Sequence, residues 1–231
     1  MIALALIGWF YWAARRVDHT GTYHSAAMGL TLSMLVWISL CSWLALEDFF
    51  YQQNARFLAV VVASIAVVAL ILGAFLRVPA LRGLVSLLMR DLSRGQVIAV
   101  QALRITALGA ILKMLSGELP ATFVLPSALT DMLFGFSAVY VSWNADRWSR
   151  RFLIAWNSAG IFIFLGALVT MQLSLPGPLR IFTEEPTTRI VVSFPMVLVP
   201  IFIAPMFILI HLLSIKQVFE QDVVSGAGDP A

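Results

Sequence analysis

The chain has 231 residues, of which 61% are hydrophobic and only 12% charged, and its mean hydropathy is +0.93. Soluble domains carry about 25% charged residues, so this composition excludes a soluble enzyme, a disordered chain and a nucleic-acid-binding module. The net charge of +3 then reports orientation in a membrane rather than affinity for a polyanion.

A helix crossing the hydrocarbon needs roughly 17–25 mostly apolar residues. Seven runs qualify as spans in chain order: 1–14, 25–46, 57–76, 97–116, 122–142, 152–173 and 194–215. They are continuously apolar rather than alternating, which predicts helices and not a barrel. The first run is short. It either continues to Val17 with its arginines snorkelling or is incomplete at its start. It is read as a retained span, because Arg15 and Arg16 follow the apolar stretch whereas a signal peptide carries its charge first.

Basic residues set the orientation. Arg15, Arg16, Arg77, Arg82, Arg90, Arg94, Arg147, Arg150, Arg151 and Lys216 fall on one side, against Arg56, Arg180 and Arg189 on the other. The positive-inside rule therefore predicts the N-terminus outside and the C-terminus in the cytoplasm. Trp9, Trp12, Trp43, Trp143, Trp148 and Trp156 lie near span ends, as interfacial anchors do. The expected fold is all-α: a single bundle of seven transmembrane helices over 1–219 and a disordered cytoplasmic tail over 220–231.

Between the third and fourth spans, Arg82, Ser86, Arg90 and Arg94 recur every four residues, with Leu81, Leu84, Val85, Leu88 and Leu92 on the other face. This pattern predicts an interfacial helix over about 81–95, its apolar side in lipid and its arginines on anionic headgroups. The lipid bilayer is thus an expected partner and nucleic acid is not. The outer connection from Ser174 to Ser193 is rich in turn residues.

Polar groups within spans need partners or a water-filled cavity. Arg104 lies near the middle of the fourth span and Asp131 near the middle of the fifth, and the two spans are joined by a short link. Their backbone depths differ by about 7–8 Å on helical rise, within reach of an extended arginine, so an Arg104–Asp131 ion pair is predicted. Asn157 sits one turn into the sixth span before Ser158-Ala159-Gly160 and serves either as interhelical glue or as a cavity-lining group. The last span carries Pro195, Pro200 and Pro205. Pro195 suits a first turn, while Pro200 and Pro205 leave the carbonyls of Met196 and Ile201 without their usual donors and bend the helix. His211 follows towards the cytoplasmic end. With His19 and His24 on the same side, His24 and His211 form the one conceivable haem pair, although no metal or cofactor is expected. One cysteine, Cys41, allows no intrachain disulfide, and three histidines supply no evident four-ligand zinc site.

Seven-span classes with known signatures fit poorly. Lys216 lies beyond the last span, where a retinal Schiff base could not form; there is no Pro-Gln dipeptide and no Asn-Pro-x-x-Tyr. Catalytic serine, cysteine, HExxH and phosphate-loop motifs are missing too, so no enzyme is expected. Leu119-Pro120, Phe123, Leu125-Pro126, Asp131, Trp156-Asn157, Pro176-Gly177-Pro178-Leu179, Phe194-Pro195, Val199-Pro200, Pro205 and His211-Leu212-Leu213-Ser214 resemble a family of small bacterial multi-pass membrane proteins of unknown function. The resemblance covers roughly the C-terminal half and implies a bacterial inner-membrane location without an activity. The expectation is a membrane protein that handles a small molecule or ion, as a transporter would, with Arg104, Asp131, Asn157 and His211 as its binding residues. A non-transporting scaffold or accessory subunit is the alternative, and a haem-binding redox protein ranks last.

Overall fold

A computed structural model describes residues 1–51 and 58–225, with side chains described to Glu220. Among the described residues every regular element is helical. In chain order they are α1 (Ile2–Val17), α2 (His24–Leu46), α3 (Ala59–Arg77) and α4 (Pro79–Asp91). Then follow α5 (Arg94–Leu115), α6 (Ala121–Trp143) and α7 (Arg150–Ser174). The last helix, α8, enters through a π turn at Val199–Ile203 and continues as Ala204–Ser225. Six of these, α2, α3 and α5 to α8, are long and apolar enough to cross a membrane. The first, with 16 residues, reaches only about 24 Å, less than the hydrocarbon thickness. Its Ala3, Leu6, Ile7, Phe10, Ala13, Ala14 and Val17 form one buried stripe, which packs against α2 and α4.

The centre of the bundle is α8. Of its most apolar stretch 61% is buried, against 22% for α2 and for α3, so the outer helices turn most of their surface away from the protein while α8 is enclosed. Close backbone approach fixes α5 against α6: a Cβ on Gly135 would lie 2.6 Å from the Ile105 amide nitrogen. No side chain larger than hydrogen fits there.

The helix expected over 81–95 ends sooner, and its apolar face has a different neighbour. Leu92 is extended, and Ser93 starts α5 with a capping box to Gln96, a Ser-x-x-Gln signature for a new helix. Leu81, Leu84, Val85, Leu88 and Leu92 are buried in the protein core beside α1, α2 and α8 rather than in lipid. Periodicity reveals an apolar face without saying what covers it. The Gln217 amide of α8 donates to the carbonyls of Met89 and Leu92, closing the end of α4. Arg82 and Arg90 are exposed on the opposite face. At the other end, α8 runs to Ser225, past the tail boundary expected at residue 220; residues 226–231 lie outside the described residues.

The final span also begins later than its apolar run. Phe194 to Val197 form turns, so Pro195 precedes the helix, and Pro200 takes the first turn, where its missing N–H costs little. Both carbonyls that the prolines deprive are satisfied. Met196 accepts from the Val199 amide at 2.9 Å, and Ile201 accepts from the indole N–H of Trp37 on α2 at 3.3 Å. In the i→i+5 register of a π turn the donor to Pro200 would be Pro205, which has no N–H. The Ser64 hydroxyl of α3 lies 2.7 Å from that Pro200 carbonyl instead. Side chains from two neighbouring helices thus do the work of the missing amides. Replacing Trp37 with Phe keeps the ring and removes the donor; thermal unfolding of the purified protein should show a loss of about 1–3 kcal/mol, and an unchanged midpoint would mean that the Ile201 carbonyl finds another partner.

Candidate functional site

Four helix faces meet at one point, each legible as a spacing. Within α5, residues Val100–Ala107 wind as a 3-10 helix, in which positions three apart eclipse. Gln101 and Arg104 therefore point the same way. On α8, Phe207 and His211 are one turn apart, and the two pairs meet rung by rung: Gln101 donates to the Phe207 carbonyl at 3.3 Å, and Arg104 Nη1 lies 3.0 Å from His211 Nε2. On α6, Asp131 and Phe134 share a face; on α7, so do Asn157, Gly160 and Phe164.

The polar chain that results has one consistent set of donors and acceptors. Arg104 Nε and Nη2 approach Asp131 Oδ1 at 2.7 and 2.6 Å. A guanidinium can only donate, so His211 Nε2 accepts from it. Nδ1 must then carry the proton, which it donates to Asn157 Oδ1 at 2.8 Å. The Asn157 amide in turn donates to the Leu153 carbonyl at 2.8 Å. The imidazole is neutral in this arrangement, and the network as a whole carries one positive and one negative charge.

Aromatic rings enclose the cation. The Arg104 guanidinium carbon sits 4.2 Å from the centroid of Phe134 and 4.0 Å from that of Phe164, on two different helices. Rings of Trp156 and Phe134 also meet the imidazole edge to face. Room for His211 comes from Gly160, where a Cβ would fall 2.2 Å from Nε2. Arg104, Asn157 and His211 are each no more than 1% exposed.

Asp131 differs from the other three. Its side chain is 18% exposed and borders a cavity of about 640 Å³ lined by α3, α5, α6, α7 and the start of α8. Both guanidinium contacts fall on Oδ1, so among the described residues Oδ2 has no partner. The cavity wall is mostly apolar, with Val68, Leu72, Leu168 and Ile208 among its residues. Its backbone is irregular on three sides: the 3-10 segment of α5, a π turn at Leu125–Leu129 around Pro126, and the π turn of α8 all contribute residues.

All four residues singled out from the sequence come together, and the predicted Arg104–Asp131 contact forms. Only Arg104 and Asp131 reach the cavity; Asn157 and His211 lie sealed behind the guanidinium and line nothing. The haem pair does not form. Both nitrogens of His211 are engaged, while His24 Nδ1 lies 3.1 Å from Arg15 Nη1 at the bundle end. Residues that the sequence reading missed are Phe134 and Phe164, which hold the cation, while Gly160, noted there only among small residues, seats the imidazole. Spacing from Asp131 and Asn157 puts both phenylalanines on the right helix faces, but nothing in the sequence marks them as rings around a cation.

Residues 56–219 match the family described as "Domain of unknown function (DUF8737)", which is most of the chain, and the protein belongs to that family. The match takes in all of the residues from Leu119 to Ser214 quoted above and begins at residue 56. No curated protein and no solved structure matches the chain.

Removing one member of a buried ion pair leaves the other uncompensated, at about 3–5 kcal/mol. Asp131→Asn should therefore lower the thermal midpoint and the yield of folded protein sharply, and the double variant Arg104→Met with Asp131→Leu should recover part of both. A single variant as stable as the parent would contradict the pairing.

Proposed function

We propose that this member of the DUF8737 family is a multi-pass protein of a bacterial inner membrane that holds a small, mostly apolar molecule within the bilayer, as a transporter does. The observation that carries this reading is the 640 Å³ cavity that ends on Asp131. Ligand sites typically measure about 300–1,000 Å³ and are largely apolar, with a few convergent polar groups. Irregular backbone at membrane depth is tolerated where it is buried in protein or lines a cavity, and π turns concentrate at functional sites. Three such segments border this one. The apolar wall favours a molecule over an inorganic ion, whose desolvation a single uncommitted oxygen, Asp131 Oδ2, would not offset.

Seven crossings with the N-terminus outside are part of the proposal, α1 being the seventh. They are supported by arginines at the shared end of α1, α3, α4 and α7 and by the six longer helices. The anionic headgroups of the inner leaflet would meet Arg82 and Arg90 of α4. A scaffold or accessory subunit is the second reading, favoured by the rigid enclosure of Arg104 between two rings.

Thermal unfolding of the purified chain against ions, polar metabolites and apolar small molecules separates the two. Apolar compounds should raise the midpoint, ions should not, and Ala110→Phe, which puts a ring into the cavity, should reduce the shift. No stabilisation by any compound would leave the scaffold reading. For topology, a periplasm-active reporter joined before Met1 should be active and the same reporter joined after Ala231 inactive; the reverse pattern would overturn the orientation.

A further inference from the structure

We propose that the cavity draws its ligand sideways out of the lipid and selects long-chain amphiphiles whose head group donates hydrogen bonds, an alcohol or an ammonium, over those with a carboxylate head. This deepens the reading of the cavity as a ligand site and rests on it.

The head-group preference follows from an inventory of the polar atoms on the wall. The Ser64 hydroxyl is committed to backbone carbonyls of α3 and α8, Thr106 to Leu103, and Ser127 to Phe123. At the far end, the Lys113 ammonium is held by Glu118 at 2.7 Å. Arg104 directs Nε at Asp131 Oδ1 and Nη1 at His211, while its Nη2 has an ion-pair contact with Oδ1 but no hydrogen bond and is itself buried, with a ring on each side of the guanidinium. What remains is Asp131 Oδ2, an acceptor carrying part of a negative charge. The deep end of the wall therefore offers an accessible acceptor, whereas its charged donors are either engaged or, like Arg104 Nη2, buried. A ligand hydroxyl or ammonium gains a charge-assisted hydrogen bond, whereas a carboxylate meets like charge in a low-dielectric site.

The route of entry follows from the rim. Bordering the cavity, Ile65 of α3 is 61% exposed and Leu165 of α7 is 44% exposed, and Thr106 and Gly109 of α5 are exposed across the gap from α3. In a membrane these positions face hydrocarbon, since they sit well inside helices long enough to span it. An opening of this kind admits an apolar chain without taking it through water. It also explains why Asp131 is the deep end: the chain lies along the apolar wall while the head reaches the single acceptor.

Binding of hexadecanol, hexadecylamine, palmitate and hexadecane to the full chain in detergent, at a pH where the acid is ionised, tests the assignment. Alcohol and amine should bind at least about tenfold more tightly than palmitate and than hexadecane, the effect of one hydrogen bond to a charged group. Ala110→Phe should weaken their binding. Palmitate binding as tightly as the alcohol, or hexadecane doing so, would overturn the head-group assignment while leaving the ligand cavity in place. Alcohol binding unchanged in Ala110→Phe would overturn the location. Failure of all four probes to bind would remove this inference together with the reading beneath it.

Discussion

Arg104 sets the terms for the rest of the bundle. A guanidinium in an apolar span is costly unless it is paired and its remaining protons are satisfied. One carboxylate oxygen, one imidazole nitrogen and two phenyl faces meet most of that need here, from four other positions on three helices, with Nη2 held by an ion-pair contact but no hydrogen bond. Each partner brings constraints of its own. Imidazole acceptance at Nε2 fixes the tautomer and so demands an acceptor for Nδ1, which Asn157 supplies. The ring needs space, which Gly160 leaves. A single charge thus orders residues on α5, α6, α7 and α8, and it does so with no net charge left over.

A comparable economy governs the broken backbone. Prolines at 126, 200 and 205 remove amide donors where a membrane protein can least spare them. Trp37 and Ser64 restore two of those bonds to α8 from α2 and α3. These cross-links tie the outer helices, which bury little of their own surface, to the enclosed one. The π turns also widen the backbone where the cavity lies, so the wall on that side is set by backbone registers as much as by side-chain size.

How much of this was legible in the sequence depends on the energetic contrast involved. Arg104, Asp131, Asn157 and His211 stand out because a polar side chain in an apolar run has few places to go. The carbonyls of Met196 and Ile201 could be named in advance for the same reason. Phe134 and Phe164 could not, since a phenylalanine in a span is unremarkable until a cation is found between two of them. The apolar face of α4 was assigned to lipid although it packs on protein, because acyl chains are as apolar as leucine and periodicity cannot separate the two. The start of α8 was placed too early, its apolar run extending through turns that prolines impose. The cavity itself has no sequence signature, being a property of the gap between helices.

Sequence distance gives the polar network a history during synthesis. Asp131 follows Arg104 by 27 residues, whereas His211 follows it by 107. Folding during synthesis runs from the N-terminal side, so α5 and α6 can meet as a self-neutralised hairpin long before the histidine exists. Until α8 arrives, the guanidinium edge that His211 takes lacks that acceptor. The final helix is therefore less an addition to a finished bundle than the act that seals it.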